Sequence, residues 1–186
     1  MRIRGVLLGG AGALMMAVGA AQAQSVDRFD DAVEHYVALH REAERHLDPQ
    51  QLQLGDAESV LAYAAALREA LCRVRPMATE GDVFAPAAAQ FRQRIRLALR
   101  RHAIVARDLL VAMRHDSEPG ARPPAVNQAF SWALGNLMPA VLIEALPALP
   151  DELQYRFVGK SLVLVDIHAG LVVDILRAAL DVAPFE

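Results

Sequence analysis

Residues 153–176 read LQYRFVGKSLVLVDIHAGLVVDIL, and their reading decides the fold. This stretch alone is rich in β-branched and aromatic residues with turn signals at short, regular spacing. Gly159-Lys160 between two apolar runs suits a two-residue hairpin loop in which glycine supplies a positive φ. That loop pairs Val158 with Ser161 and Arg156 with Val163. Ile167-His168-Ala169-Gly170 suits a type I turn closed by a left-handed glycine, which pairs Asp166 with Leu171 and Val163 with Asp174. Side chains alternate faces along a strand. One face then carries Tyr155, Phe157, Leu162, Leu164, Val173 and Ile175, and should meet the helices. The other carries Gln154, Arg156, Val158, Val163, Val165, Val172 and Asp174. That second face is more apolar than solvent contact requires. Either helices cover it too, or Val158, Val163, Val165, Val172 and Leu176 form an interaction surface whose specificity Arg156 and Asp174 set. Residues 171–180 also fit helical spacing, but the Val172-Val173 pair and the preceding turn favour a strand.

Upstream, the pattern is helical. Phe29, Val33, Tyr36, Ala43 and Leu47 form one apolar stripe over residues 27–47, with His40 inside it. Asp48-Pro49 ends that helix. Asp56 can cap a second helix over 57–75, where Val60, Ala64, Leu67, Leu71 and Val74 repeat every three or four residues. Gly81-Asp82 marks a turn, and Pro86 suits the start of a third helical region reaching His115. Its stripe loses register near residues 101–103, so a break is expected there. Residues 116–124, DSEPGARPP, read as an exposed loop. Residues 125–135 and 139–146 read as two short helices separated by Gly135-Asn136 and Pro139, and Arg177–Leu180 as one helical turn.

The chain has 186 residues, enough for one domain with a substantial core. It opens with MRIR, then an apolar Gly/Ala-rich run, then Ala21-Gln22-Ala23, which together read as a secretory signal peptide over residues 1–23. The expected mature unit is a single domain, residues 24–186, in the periplasm or outside a bacterial cell. No membrane attachment is expected after cleavage. Removing Arg2 and Arg4 leaves 17 cationic against 22 acidic residues, a formal charge of −5. That balance argues against nucleic acid as a partner. Cys72 is the only cysteine, so no internal disulfide holds the fold.

Three stretches are familiar in combination: ALREALCRVRPMATEGDVFAP followed by FRQRI, then LPALPDELQYRFVG, then LVLVDIHAGLVVDIL. Over roughly residues 57–180 the chain resembles a family of small, signal-peptide-bearing bacterial proteins to which no activity is attached. The resemblance implies a single folding unit and carries over no site residues.

The residues that could carry chemistry are few. Asp166 and His168 suggest the carboxylate–imidazole half of a general-base pair, but no Gly-x-Ser-x-Gly elbow surrounds Ser161. Asp166 is equally explained as a turn residue bonding the backbone two residues on. His40 within an apolar stripe reads first as a hydrogen-bonded core histidine. A helical zinc site wants ligands four residues apart with a third from elsewhere, and no two histidines are so spaced. Glu42 and His46 are, but without a marked third ligand. No metal and no cofactor are therefore expected. Cys72, near Arg68 and Arg75, is either a reactive thiol or a buried inert one. Arg92, Arg96 and Arg100 form a row at four-residue steps, with Arg73 and Arg75 on the preceding helix. That row could bind a carboxylate or phosphate, or simply be a solvated face.

The expectation is an α+β domain: four to six helices over about residues 26–146, then a C-terminal antiparallel β-meander of about three strands over residues 153–176. The leading function is a non-enzymatic binding or interaction module, with Arg92, Arg96, Arg100, Arg156 and Asp174 as binding candidates. Its partner would be a protein or a small anionic ligand, and homo-oligomers are allowed. The alternative is a hydrolase using His168 or His40 with an aspartate.

Overall fold

The computed structural model describes residues 11–47, 56–114, 125–133 and 138–180, with backbone alone for residues 11–23, 25 and 114. Among the described residues, five α-helices are followed by a three-stranded antiparallel sheet, so the fold is α+β with a C-terminal β-meander. The helices are α1 (Ala11–Arg45), α2 (Ala57–Val74), α3 (Ala88–Arg101), α4 (Ala106–Arg114) and α5 (Ala140–Ile143). The strands are β1 (Leu153–Val158), β2 (Ser161–Asp166) and β3 (Leu171–Leu176), in spatial order β1-β2-β3. Among the described residues no helix is long and apolar enough to cross a membrane. The chain-breaking signals at Asp48-Pro49, Gly55 and Gly135-Asn136, the 116–124 loop and His115 lie outside the described residues.

Local chemistry explains most element ends. The Asp56 side chain accepts the Ser59 N–H at 2.7 Å and caps α2. The expected break after α3 falls at Ala103, whose φ of 52° no helix tolerates. Pro86 sits in a single 3-10 turn, Ala85–Ala87, which leads into α3. Both meander turns form as expected, with Gly159 at φ 55° and Gly170 at φ 56°.

The main core lies between the helices and one face of the sheet. The α1 stripe Phe29, Val33, Tyr36, Val37, His40 and Ala43 is buried. Phe29, Phe84, Phe91 and Tyr155 form a continuous ring cluster, with neighbouring centroids 4.8–6.4 Å apart. Leu153, Tyr155, Phe157, Leu162, Leu164, Val173 and Leu176 close it from the sheet side. On α2 the buried residues are Tyr63, Leu67, Ala70 and Leu71, whereas Val60 and Val74 are half exposed. Tyr63 thus takes the place that the apolar repeat gave to Val60 and Ala64.

The β1–β2 register is as expected, with Val158 opposite Ser161 and Arg156 opposite Val163. The β2–β3 register is not. Asp166 pairs with Leu171, but a bulge between Leu164 and Val165 leaves Val173 as an extra residue on β3. Val163 then faces Ile175 and Leu164 faces Asp174. Three assignments change. Asp174 turns to the helix side, Ile175 joins the second face, and Leu176 leaves it for the main core.

The physical reason is visible in what Asp174 binds. Its carboxylate accepts the N–H groups of Gly81 (2.6 Å), Val83 (2.8 Å), Phe84 (2.7 Å) and Ile175 (2.7 Å). On the second face it would meet none of the first three.

The second face is covered by an irregular strap, residues 125–130, where a helix was expected. Asn127 and Phe130 donate backbone N–H groups to Val172 and Gly170, and Val172 donates to Gln128. The strap therefore runs beside β3, with an isolated antiparallel bridge between Ala129 and Leu171. Phe130 and Val126 seal Val158, Val163, Val165, Val172 and Ile175 into a second, smaller core. This face is thus interior, covered by the strap and not by helices, and of its two expected readings the open interaction surface is overturned.

Leu164→Ala should cost about 2–5 kcal/mol, because the side chain is fully buried against the helices. Asp174→Ala should cost about 3 kcal/mol or more by stranding buried N–H donors. Denaturant melts measure both, and a loss below 1 kcal/mol for Asp174→Ala, roughly one ordinary hydrogen bond, would contradict the account of the bulge.

Candidate functional site

Polar groups converge where the middle of α1 meets the β2–β3 turn. Asp166, the last residue of β2, is fully buried. Its Oδ2 accepts from the Tyr36 hydroxyl at 2.7 Å and from His40 Nδ1 at 2.6 Å. Its Oδ1 accepts the backbone N–H groups of His168 (3.0 Å) and Ala169 (2.8 Å). The turn role expected of Asp166 is therefore real but is half of what it does. Tyr36 and His40 lie four residues apart on the inward face of α1, so both reach the same oxygen.

An ionised carboxylate only accepts, so His40 Nδ1 carries the proton in this contact. His40 Nε2 then points the other way. It is buried and has no hydrogen-bond partner among the described residues. Glu44 Oε2 lies 3.9 Å from it, one turn along α1. The His168 ring lies with its centroid 5.5 Å from that of His40. One ligand-type atom each from His40, Glu44 and His168 falls within 4.8 Å of the other two. Burial grades across the trio: His40 is interior, Glu44 partly exposed, His168 exposed.

The surroundings hold these groups in place. The Tyr63 hydroxyl donates to Glu44 Oε1 at 3.0 Å, leaving Oε2 toward His40. Arg68 Nη1 donates to the Ala169 carbonyl at 2.8 Å and braces the turn that carries His168. Ile167 donates its N–H to the Glu152 carbonyl, and Arg41 pairs with the Glu152 carboxylate.

Titration follows the geometry. Burial acts to raise the Asp166 carboxyl, but the bonds from His40, Ala169 and Tyr36 hold it below its ordinary 3.8. Burial acts to lower the His40 imidazole, and Asp166, Glu44 and Glu152 outweigh it, so its pKa is raised from 6.5. The Tyr36 phenol is pushed well up, by burial and by the Asp166 charge.

The other sequence candidates scatter. Arg92 donates to the Arg177 carbonyl at 2.9 Å, Arg96 and Arg100 are exposed along α3, and Arg73 pairs with Glu69. Arg75 leaves that group and turns inward, its guanidinium over the Tyr36 ring at 5.0 Å and donating to the Val173 carbonyl. Arg156 donates to Gln154 and lies over the Trp132 ring at 5.2 Å, on the strap side of the sheet. Asp174 is on the helix side, so the two do not share the second face as expected. The Cys72 thiol donates to the Asn127 carbonyl, and burial pushes its pKa up despite Arg75 and Arg68. That favours the inert reading.

Among the described residues, clefts open on the surface of the domain. One of about 460 Å³ is lined by Met138, Leu146, Leu149, Leu153 and Tyr155. Another of about 470 Å³ is lined by Tyr36, Arg75, Met77 and Val83. His40 and His168 line neither.

Sequence reasoning paired Asp166 with His168, and offered His40 with an aspartate as an alternative, but missed that all three meet. It missed Glu44, Tyr36 and Tyr63 altogether. The usable signal was the four-residue step from His40 to Glu44 on α1. A search for paired histidines passes over it.

Asp166→Ala should cost about 3–5 kcal/mol, since it leaves a buried imidazole and a buried phenol without their acceptor. Its native pKa is depressed, so its contribution is full above the ordinary carboxylate value and is lost as pH falls through the native one. Urea melts from about pH 5 down to about pH 2 should therefore fall less steeply for Asp166→Asn than for wild type. Parallel slopes would mean that Asp166 carries little of the acid sensitivity. No protein-family model, no curated protein and no solved structure matches this chain, so the chemistry of the site rests on its own geometry.

Proposed function

We propose that the mature chain is a non-enzymatic binding module of the bacterial cell envelope, and that its ligand meets the protein at His40, Glu44 and His168. The observation that carries this reading is the buried, unpartnered His40 Nε2, aimed at a carboxylate and a second imidazole that reach the surface. A buried nitrogen without a partner is costly unless something supplies one. A ligand at the mouth of this cluster would.

The contact of 2.6 Å between His40 and Asp166 also favours a second reading, a hydrolase. It is the orienting half of a catalytic triad. The nucleophile is what tells against it. Nε2 faces Glu44, while Ser161 sits at the far end of β2, roughly 17 Å along the strand. Cys72 is engaged by Asn127.

The binding reading is tested by imidazole nitrogen–proton correlation spectra of the mature protein, with and without a small-molecule extract of the cell envelope. The His40 and His168 signals should move together while His102 stays. An extract that moves none of the six histidines sinks the reading. Release of product from a panel of aryl esters, lost in His40→Ala and kept in His46→Ala, would favour the hydrolase instead. Export has its own check. Protein recovered from the periplasm should begin at Gln24, give or take two residues, and an intact Met1 in a membrane fraction would overturn the proposed address.

A further inference from the structure

We propose that His40, Glu44 and His168 bind a divalent transition metal, zinc in the first instance, through His40 Nε2, Glu44 Oε2 and one ring nitrogen of His168. The inference rests on reading this cluster as the ligand site and adds the chemical class of the ligand.

The donor set is the first argument. Zinc sites that keep an open position use three protein ligands, commonly imidazoles with a carboxylate, and leave the fourth place to water. Here two ligands stand one helical turn apart on α1 and the third comes from a turn 124 residues further on, between β2 and β3. Two nitrogens and one carboxylate oxygen suit zinc, copper or nickel, and suit calcium or magnesium poorly, since those take oxygen alone.

The surrounding bonds are the second. A metal-bound imidazole typically gives its other N–H to a carboxylate, which fixes the tautomer and turns the free lone pair toward the metal. Asp166 does this for His40 at 2.6 Å. The same Asp166 holds the backbone N–H of His168, so one buried side chain positions both histidines. Tyr63 occupies Glu44 Oε1 and leaves Oε2 for the site. Tyr63 and Asp166 are positioning residues for this site.

Distance and charge agree. Zinc bonds of about 2.0–2.1 Å put tetrahedral ligand atoms roughly 3.3 Å apart. The ligand atoms stand within 4.8 Å of one another, with Nε2 and Oε2 already at 3.9 Å. Buried His40 stays put, and the two more exposed side chains close the difference by rotation. Asp166, Glu44 and Glu152 put three carboxylates around His40, while Arg41, Arg68 and Arg75 are engaged by Glu152, the Ala169 carbonyl and the Val173 carbonyl.

The rival is a simple His40–Glu44 ion pair with His168 as a bystander. Titration calorimetry with zinc on chelator-treated, tag-free mature protein at about pH 8, where free imidazoles are neutral, separates the two. The expected result is one zinc per chain. Substitution His168→Ala, at an exposed position and so compatible with folding, should weaken binding at least about 100-fold, as should Glu44→Gln. Tyr63→Phe should weaken it about tenfold or more. His46→Ala, which removes the exposed imidazole 3.5 Å from Glu42 on the same helix, should leave it unchanged. Cobalt(II) should give the visible bands of four-coordinate metal in the wild type and not in His168→Ala. Magnesium should not compete. Zinc binding that survives His168→Ala, or that His46→Ala abolishes, overturns the proposal, as does a wild type that takes up no zinc. If zinc fails while the envelope extract still moves the His40 and His168 signals, the binding reading stands and the metal is withdrawn. If both fail, both go.

Discussion

Asp166 accepts four hydrogen bonds at its two carboxylate oxygens, and they join the long first helix to the β2–β3 turn. A buried carboxylate without partners would carry a desolvation cost of several kcal/mol. With four donors it becomes a joint that tolerates little displacement. Tyr36 and His40 fix the rotation of α1 about its axis, because both must reach one oxygen. The His168 and Ala169 N–H groups fix the turn against the same atom pair. The rest of the domain falls into place around this contact. The α1 stripe turns Phe29 and Val33 into the aromatic cluster, and the sheet presents Leu162 and Leu164 to it. Glu44 then faces Tyr63 on α2.

Asp174 makes a second joint of the same kind within β3. Its carboxylate gathers three N–H groups from residues 81–84 and so docks the segment between α2 and α3 onto β3. The bulge at Val173 is the geometric means. A regular strand would aim Asp174 at the strap and leave the 81–84 donors buried without an acceptor, and unmade buried bonds cost more than a kink. Gly81, at φ 99°, allows the turn that brings its own N–H to Oδ1. Two aspartates, one at a strand end and one in a bulge, thus tie the helical half of the chain to the sheet. In each case the donors come mostly from outside the strand that carries the acid.

The parts of the fold that the sequence disclosed are those set by local pattern. Strands of six residues, glycine turns at 159 and 170, the cap at Asp56 and the break near Ala103 all follow from neighbours in the chain. What stayed hidden was set by distant partners. Alternation alone cannot reveal a bulge whose cause is a set of N–H groups some 90 residues upstream. The strap was read as part of a short helix over residues 125–135, yet Phe130 is needed to seal the valine face, and β3 offers Gly170 and Val172 as backbone partners. The same limit governs the site. Asp166 looked fully explained by the turn after it, because two of its bonds are local. The other two reach back 126 and 130 residues.

The gradation of burial in the His40 cluster has a consequence of its own. His40 Nε2 is interior, with the partly exposed Glu44 and the exposed His168 beside it. On the proposed reading, what reaches it is held between those two side chains and accepts a lone pair from a nitrogen that Asp166 has already deprived of freedom to turn. A metal ion meets these conditions. A small ion held between α1 and the β2–β3 turn would also strengthen the contact on which the fold depends, so that binding and stability at this site are coupled.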